Sequence, residues 1–305
     1  MFRFILRRAL ETIPVLLAVA TLTFVMLRLA PGGPFDEERQ VPEVIKAKLM
    51  AYYGLDKPWY QQYLMQMGKL IRGDLGFSFK YPNRTVNGVI GQAAPISLEL
   101  GLYALSISLC LGLITGVIAS LKPNTALDYV PSSAAMIGVC LPTFLLGPIL
   151  ILVFVFELKW FPLLGWTTPM SKVLPSVTLG MYYAAYIARL ARGGMREVLS
   201  QDFIRTARAK GATEKRVVLI HALRGGIIPV VSFLGPAAAG LIAGSFVIET
   251  IFGIPGLGQH FVKSAFDRDY TMVMGVVLFF ASLIVLLNLL ADIVLVWLNP
   301  KLKFE

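Results

Sequence analysis

The sequence predicts an all-α integral membrane protein with six transmembrane helices, and three observations carry that expectation. The first is composition: of 305 residues, 56% are hydrophobic and 15% charged, where a soluble chain carries about 25% charged residues. The second is the placement of the charges, which leaves six long apolar intervals. The third is the sidedness of the remaining lysines and arginines. Lipid lets so much apolar surface face outward, and in lipid the backbone must satisfy its own hydrogen bonds as helices or a closed barrel. Disorder, a disulfide-rich secreted scaffold and an ordinary cytosolic enzyme are disfavoured together. Cys110 and Cys140 lie in apolar stretches and read as small core residues, without the spacing of a metal or redox pair.

The charge-free intervals are residues 12–27, 100–121, 129–156, 173–188, 225–248 and 270–291. A span needs about 17–25 mostly apolar residues. The first and fourth intervals have only 16 residues each, but Glu11 with Arg28 and Lys172 with Arg189 stand at their ends and reach the interface. The spans therefore fall at about 10–29, 100–121, 132–156, 173–190, 226–248 and 271–298. Pro31-Gly-Gly-Pro34 follows the first span without a small-residue cleavage pattern, so that span reads as a retained anchor. The third interval, 28 residues containing Pro142 and Pro148, reads as one kinked helix.

Six crossings put both termini on one side. Arg3, Arg7 and Arg8 precede the first span, Lys122 lies between the second and third, and Lys301 and Lys303 follow the sixth. The segment 191–224 and its borders contribute Arg189, Arg192, Arg196, Arg205, Arg208, Lys210, Lys215, Arg216 and Arg224 against Glu197, Asp202 and Glu214. All these groups share one face, and the positive-inside rule makes it cytoplasmic. The formal charge of +10 has this cause and does not indicate a nucleic-acid partner. The other face receives the outer loop 30–99, a short loop with Trp160 and Trp166 at interface-belt positions, and the segment after Glu249. Loops beyond about 60 residues cross largely regardless of charge. Residues 41–53 suit a short helix, followed by a Gly/Asp-rich turn at Arg72-Gly-Asp-Leu-Gly76.

No G-x-x-x-x-G-K-[ST] run is present, so the chain has no recognisable cradle for ATP phosphates. The two histidines, His221 and His260, fall on opposite expected faces, against a metal or histidine-dependent site. Gly253-Ile-Pro-Gly-Leu-Gly258 has the wrong order for a dinucleotide loop and reads as a tight turn after a span. Arg28, Arg189, Glu249 and Asp292 all sit near expected span ends and read as snorkelling or end-paired groups. No deep charge or broken helix stands out at mid-membrane, which disfavours a self-powered carrier. The pairs Gly112/Gly116 and Gly240/Gly244 read as close helix packing within the bundle, with a subunit interface as the other reading. Pro229, Pro236 and three glycines make the fifth span irregular, as a helix lining a pathway would be. On that ground Ser232, Gly235, Ser245 and Glu249 are the candidate translocation residues.

The segment 191–224 is the most informative. Ser200 and Asp202 suit the first turn of a helix, Arg208 and Lys210 its last, and Gly211 the left-handed closing position. Thr213 then caps a second helix starting at Glu214. A DNA-binding helix-turn-helix is the soluble alternative, but a loop of roughly 35 residues tied to the bilayer at both ends leaves little room for a duplex. A docking element for a cytoplasmic protein is the better reading.

Phe203-Ile-Arg-Thr-Ala-Arg-Ala-Lys-Gly211, followed by His221-Ala-Leu-Arg224 and Ile228-Pro229, resembles the coupling motif of ABC importer permeases in its dipeptide/oligopeptide form. Arg205-Thr206-Ala207 takes the place of the general E-A-A, Gly211 is the motif glycine, and His221-Ala222-Leu223-Arg224 replaces I-x-L-P. Residues 4–29 with Pro31-Gly-Gly-Pro34, the tract Gly73-Asp-Leu-Gly-Phe-Ser78, Glu249 to Gly258 and Arg268-Asp-Tyr270 are similar to other segments of the same family, so the resemblance covers nearly the whole chain. Phe77-Ser-Phe-Lys-Tyr81 and Thr85-Val-Asn87 are most similar to the oligopeptide-importing members.

The resemblance implies a type I ABC importer permease with a cytoplasmic coupling helix between spans 4 and 5, in a bacterial inner membrane. It implies four kinds of partner: a homologous second permease, two ABC ATPase subunits, an extracytoplasmic peptide-binding protein and a peptide substrate. ATP and Mg belong to the ATPases, with no cofactor and no enzymatic activity on this chain. Arg205, Thr206, Ala207, Lys210 and Gly211 are the implied ATPase-coupling residues: Ala207 permits close approach, and Arg205 and Lys210 meet acidic groups. The same basic residues alternatively hold the loop at anionic lipid. Permeases of this family for dipeptides, nickel, haem or glutathione share the motifs. A membrane-embedded enzyme or receptor is a further class, and it requires a buried acid, base or ligand constellation that the sequence does not display.

Overall fold

A computed structural model describes residues 2–30, 32–35, 43–81 and 83–298. Among these the chain is helical throughout, and the one extended pairing is a bridge between Phe77 and Thr85. The helices are α1 (Phe2–Leu29), α2 (Glu43–Tyr53), α3 (Trp59–Ile71), α4 (Val86–Leu121), α5 (Ala126–Cys140), α6 (Thr143–Ile151), α7 (Pro169–Leu199), α8 (Asp202–Ala209), α9 (Glu214–Arg216), α10 (Leu223–Gly226), α11 (Ile228–Ile251), α12 (Leu257–Phe266) and α13 (Tyr270–Leu298). π-helical turns extend α6 (Leu152–Glu157) and join α9 to α10 (Val217–Ala222).

Among the described residues, four helices are long and apolar enough to cross a membrane: Leu10–Leu29 of α1, α4, α11, and Tyr270–Trp297 of α13. Thr143–Glu157 is a shorter apolar helix. The 31-residue α7 is long enough, but Lys172, Arg189, Arg192, Arg196 and Glu197 keep composition alone from marking it.

Helix α4 begins at Val86, well before the charge-free interval that starts at residue 100, because Thr85 caps it by accepting the Gly88 N–H at 3.1 Å. The charge of Glu99 inside it is offset from across the bundle. Lys172 Nζ of α7 lies 2.6 Å from Glu99 Oε1, and Trp166 Nε1 donates to Oε2 at 2.7 Å. Trp166, expected at an interface belt, is therefore buried, whereas Trp160 is exposed. Cys110, expected in the core, is exposed on α4, and the side chain of Cys140 lies outside the described residues.

The third apolar interval is not one kinked helix. It is broken at residues 141–142 between α5 and α6, while Pro148 sits inside α6 without interrupting it. Pro142 offers no N–H and starts a new helix, with its carbonyl accepting the Leu145 and Leu146 N–H groups at 3.0 Å each.

The closest-packed pair is α4 on α7, and small residues explain it. A Cβ added at Gly112 meets the Ala184 carbonyl oxygen at 2.8 Å and Ile187 Cβ at 2.7 Å; at Gly116 it meets Ala191 Cβ at 2.7 Å. The sequence pair thus does pack within the bundle. Leu100 and Ala104 of α4, Leu174 and Leu179 of α7 and Leu241 and Ile248 of α11 form the central core. A second cluster joins Val86 and Ile90 of α4 to Leu257 of α12 and Met272 and Val276 of α13. Gly240 lies against Tyr183, and the packing of Gly244 lies outside the described residues.

The expected charge pairing at span ends is present for Asp292, which meets Arg8 at 2.8 Å. Arg28 instead bonds Gln62 of α3 and lies over the rings of Phe24 and Tyr270, at 5.0 and 4.9 Å from their centroids.

Candidate functional site

The segment after α7 has the local form its residues dictate. Asp202 occupies the first turn of α8 and Arg208 the last, and Gly211 follows at φ +81°, a conformation that favours glycine. The Ala212 N–H reaches back to the Ala207 carbonyl at 3.1 Å, and the Gly211 N–H to that of Arg208 at 2.9 Å. Thr213 then caps α9, its hydroxyl accepting the Arg216 N–H at 3.4 Å. The Arg208 guanidinium closes the turn with a fork on Glu214, at 2.7 and 3.1 Å. That fork holds the Glu214 carboxyl below its usual range and raises Arg208 above its own.

A buried cluster fixes this helix-turn-helix to α7. Ile204 of α8, with no exposed surface, packs among Met195 and Val198 of α7 and Val217, Val218 and Ala222 of the following π turn. Burying one such side chain contributes about 1.5–3 kcal/mol. Among the sequence candidates, Arg205, Thr206, Lys210 and Gly211 face outward, and Ala207 is half-buried against the cluster. Arg205 approaches Asp202 at 3.4 Å and Thr206 donates to the Asp202 carbonyl at 3.1 Å, so both side chains are only loosely held. Phe203, 47% exposed beside them, belongs to the same surface. It stands in the motif but was not among the candidates, and an aromatic at the outward position of a short amphipathic helix was the available signal.

Two turns before the end of α7, Arg192 grips Asp128 at the start of α5 with both guanidinium arms, Nη2 lying 2.7 Å from Oδ2. The Asn124 N–H adds a bond at 3.1 Å. Arg192 first, and this backbone bond second, hold the buried Asp128 carboxyl well below the usual carboxylate range. Sequence reading counted Arg192 only as one of many basic residues.

The four α11 candidates separate. Ser232 is exposed; Gly235 is buried, where an added Cβ would meet Asn288 of α13. Ser245 and Glu249, one turn apart, are both buried, Ser245 donating to the Ile242 carbonyl at 2.6 Å. Glu249 accepts the Gly258 N–H at 2.7 Å, while Ser97 of α4 accepts that of Leu257 at 2.8 Å. These two side chains satisfy the first turn of α12. The glycine run around them is a turn: Gly253 has φ +61°, and a Cβ at Gly258 would stand 2.9 Å from the Glu249 carboxylate.

At the other end, two distant motif segments meet. Asp269, fully buried, accepts hydrogen bonds from the Ser78 hydroxyl, from the Phe79 N–H at 3.2 Å and from the Met272 N–H at 3.1 Å. Phe35, Tyr53, Phe79 and Tyr270 form a chain of ring contacts around this join.

Residues 109–304 match the family described as "Binding-protein-dependent transport system inner membrane component". The oligopeptide transport system permease protein OppB of Haemophilus influenzae is 42% identical over 306 residues, covering 100% of both chains. That of Escherichia coli K12 is 44% identical with the same coverage. The dipeptide transport system permease protein DppB of Bacillus subtilis 168 is 42% identical over 100% of this chain and 99% of its own. Among solved structures, the MetNI methionine ABC transporter in inward-facing conformations gives a TM-score of 0.60 at 18% identity, over 69% of this chain and 96% of that one. An amino acid ABC transporter with histidines gives 0.51 at 16%, over 71% and 95%. At such identities the structural likeness shows the fold alone.

Proposed function

Since the chain belongs to the binding-protein-dependent transport system inner membrane components, as an ABC importer permease of the dipeptide/oligopeptide family, we propose that it forms the oligopeptide pathway together with a homologous sister permease. Six spans are assigned to α1, α4, α5 with α6 and its π turn, α7, α11 and α13, with both termini cytoplasmic. The helix α8 is the coupling helix, seated on one of two ABC ATPase subunits that bind ATP and Mg, and an extracytoplasmic binding protein delivers the peptide. Arg205, Thr206, Lys210 and Gly211 present the docking surface, and Ala207 lets it approach closely. Ser232 faces the pathway; Gly235, Ser245 and Glu249 shape the helix that lines it.

The observation that carries this reading is the outward face of α8 on an anchored base: four of the five motif residues are exposed while Ile204 is locked to the end of α7. A push on α8 is thereby a push on a bundle helix. Gly211→Pro tests it. Proline cannot adopt φ +81° and removes the N–H that bonds Arg208. Peptide uptake by the assembled transporter is expected to be abolished while all subunits still reach the membrane. Unchanged uptake would remove the coupling role. A dipeptide cargo is the second reading, favoured by the 42% identity to DppB of Bacillus subtilis. Competition of labelled tripeptide uptake by dipeptides and by longer peptides separates the two.

A further inference from the structure

Near the connection between α4 and α5, these two helices and α7 leave a cavity of about 250 Å³. Gly116, Ala119, Pro131 and Ala188 supply its apolar lining, and Thr115, Ser132, Arg189 and Arg192 its polar lining. Asp128 does not line it: that carboxylate is buried, with its oxygens taken by Arg192, the Asn124 N–H and Ser132.

The donors that remain in this lining are guanidinium groups. Thr115 and Ser132 commit their hydroxyl protons to the Leu111 carbonyl at 2.6 Å and to Asp128 at 3.4 Å. Arg192 commits Nε and Nη2 to Asp128 and keeps Nη1. Arg189 meets no carboxylate among the described residues, and its guanidinium lies over the Tyr186 ring, 5.5 Å from the centroid. Tyr186 stands one turn back toward the middle of α7, so Arg189 bends away from the loop end, opposite to the direction that snorkelling to water takes. Two guanidiniums and one carboxylate leave a single positive charge beside the cavity, the complement of a phosphodiester. The neighbouring surface tells which phosphodiester. Leu111, Ile114 and Ile118 are exposed and share one face of α4 with Thr115. From Ala119 at the cavity to Leu111 the helix climbs about 12 Å away from the loop end, most of the roughly 15 Å of one hydrocarbon leaflet. A free anion has no use for such a stripe, whereas an acyl chain covers it.

Resting on the assignment of α4, α5 and α7 as membrane spans, and independent of the cargo, we propose that this cavity seats the phosphate of an anionic phospholipid. The phosphate oxygens accept from Arg189 and from Nη1 of Arg192, and an acyl chain lies along Leu111, Ile114 and Ile118. Basic pockets between membrane helices hold anionic headgroups by this combination of charge and depth.

The test uses the complete transporter in phosphatidylcholine vesicles with a minor share of phosphatidylglycerol, one lipid or the other carrying an alkyne-tagged acyl chain, and p-benzoylphenylalanine at position 114. Irradiation is expected to give more adduct from tagged phosphatidylglycerol than from tagged phosphatidylcholine, and millimolar inorganic phosphate should not compete. Arg189→Gln, at an exposed position, should lower the phosphatidylglycerol adduct about tenfold, the loss of one hydrogen bond to a charged group, and Arg189→Lys should retain most of it. Equal adducts from the two lipids, or no effect of Arg189→Gln, would refute the headgroup site. Competition by phosphate would make it a free-anion site, and an adduct with the sister permease in place of lipid would make it a subunit interface; either overturns the proposal. The same probe at Leu102, 63% exposed on α4, reports the span itself. Lipid adducts at 102 without them at 114 refute the site and leave the span intact, whereas their absence at both positions overturns the span assignment as well.

Discussion

Gly116 sits where α4 and α7 touch backbone to backbone, so its side chain is decided by what stands opposite. Gly116→Val should cost about 1–3 kcal/mol through overpacking, read as earlier unfolding in detergent, because its Cβ meets Ala191 Cβ at 2.7 Å. Gly101→Val on the same helix, with nothing within 4 Å, should cost little. Equal stability of the two variants would mean that the seam shifts freely. Asp128 makes a prediction in pH. Its folded pKa lies below the unfolded one, so its contribution is present above the ordinary carboxylate value of about 4 and is lost as pH falls through the lowered value. Asp128→Asn should therefore unfold earlier than wild type by a constant margin from pH 7 to about 4, the margin closing only in stronger acid. A margin that closes near pH 6 would contradict the assigned pairing. The packing role of Gly116 was legible beforehand, but neither residue's partner was. Gly116 was visible as half of a small-residue pair, but Ala188 and Ala191 opposite it are far off in sequence; Asp128 gave no local sign of meeting Arg192.

The helix-turn-helix around Gly211 was legible except at its start, because caps, end charges and a left-handed glycine are short-range signals; Ser200, expected in the first turn of α8, instead ends α7, and Gln201 precedes α8. The early start of α4 was not. Glu99 interrupts the apolar window, and its neutralisation by Lys172 and the bond from Trp166 are tertiary contacts. Helix α3 was missed although Tyr60, Tyr63, Leu64, Met67, Leu70 and Ile71 recur at helical spacing after Pro58. Composition marked Pro142 and Pro148 equally, and only the structure tells which one divides the helix. Glu249 was nominated for a pathway by the irregularity of the fifth span; in the structure it and Ser97 accept N–H groups of the first turn of α12. Ser97→Ala leaves the buried Leu257 N–H without its 2.8 Å partner and should cost about 1–3 kcal/mol. The check is the same thermal scan, joined by faster amide exchange at Leu257, and exchange at the wild-type rate would refute the capping role.

At the scale of the molecule, the chain has ion pairs and helix packing but no phosphate cradle in its sequence. The purified chain alone is expected neither to bind nor to hydrolyse ATP, measured by nucleotide titration and phosphate release. Stoichiometric turnover by the lone chain would reject the division of labour between it and its proposed ATPases. The overall class was legible from charge placement alone, since a shortage of charges is a global property that needs no contact map. One geometric fact sets the size of any movement. Helix α7 has 31 residues, so it spans about 46 Å, and a swing of about 10° at one end carries the other by about 8 Å. Because α4 is stitched to it along Gly112 and Gly116, the two rods tilt together like a single gangplank, so that a small rotation at one end becomes a displacement of several ångströms at the other.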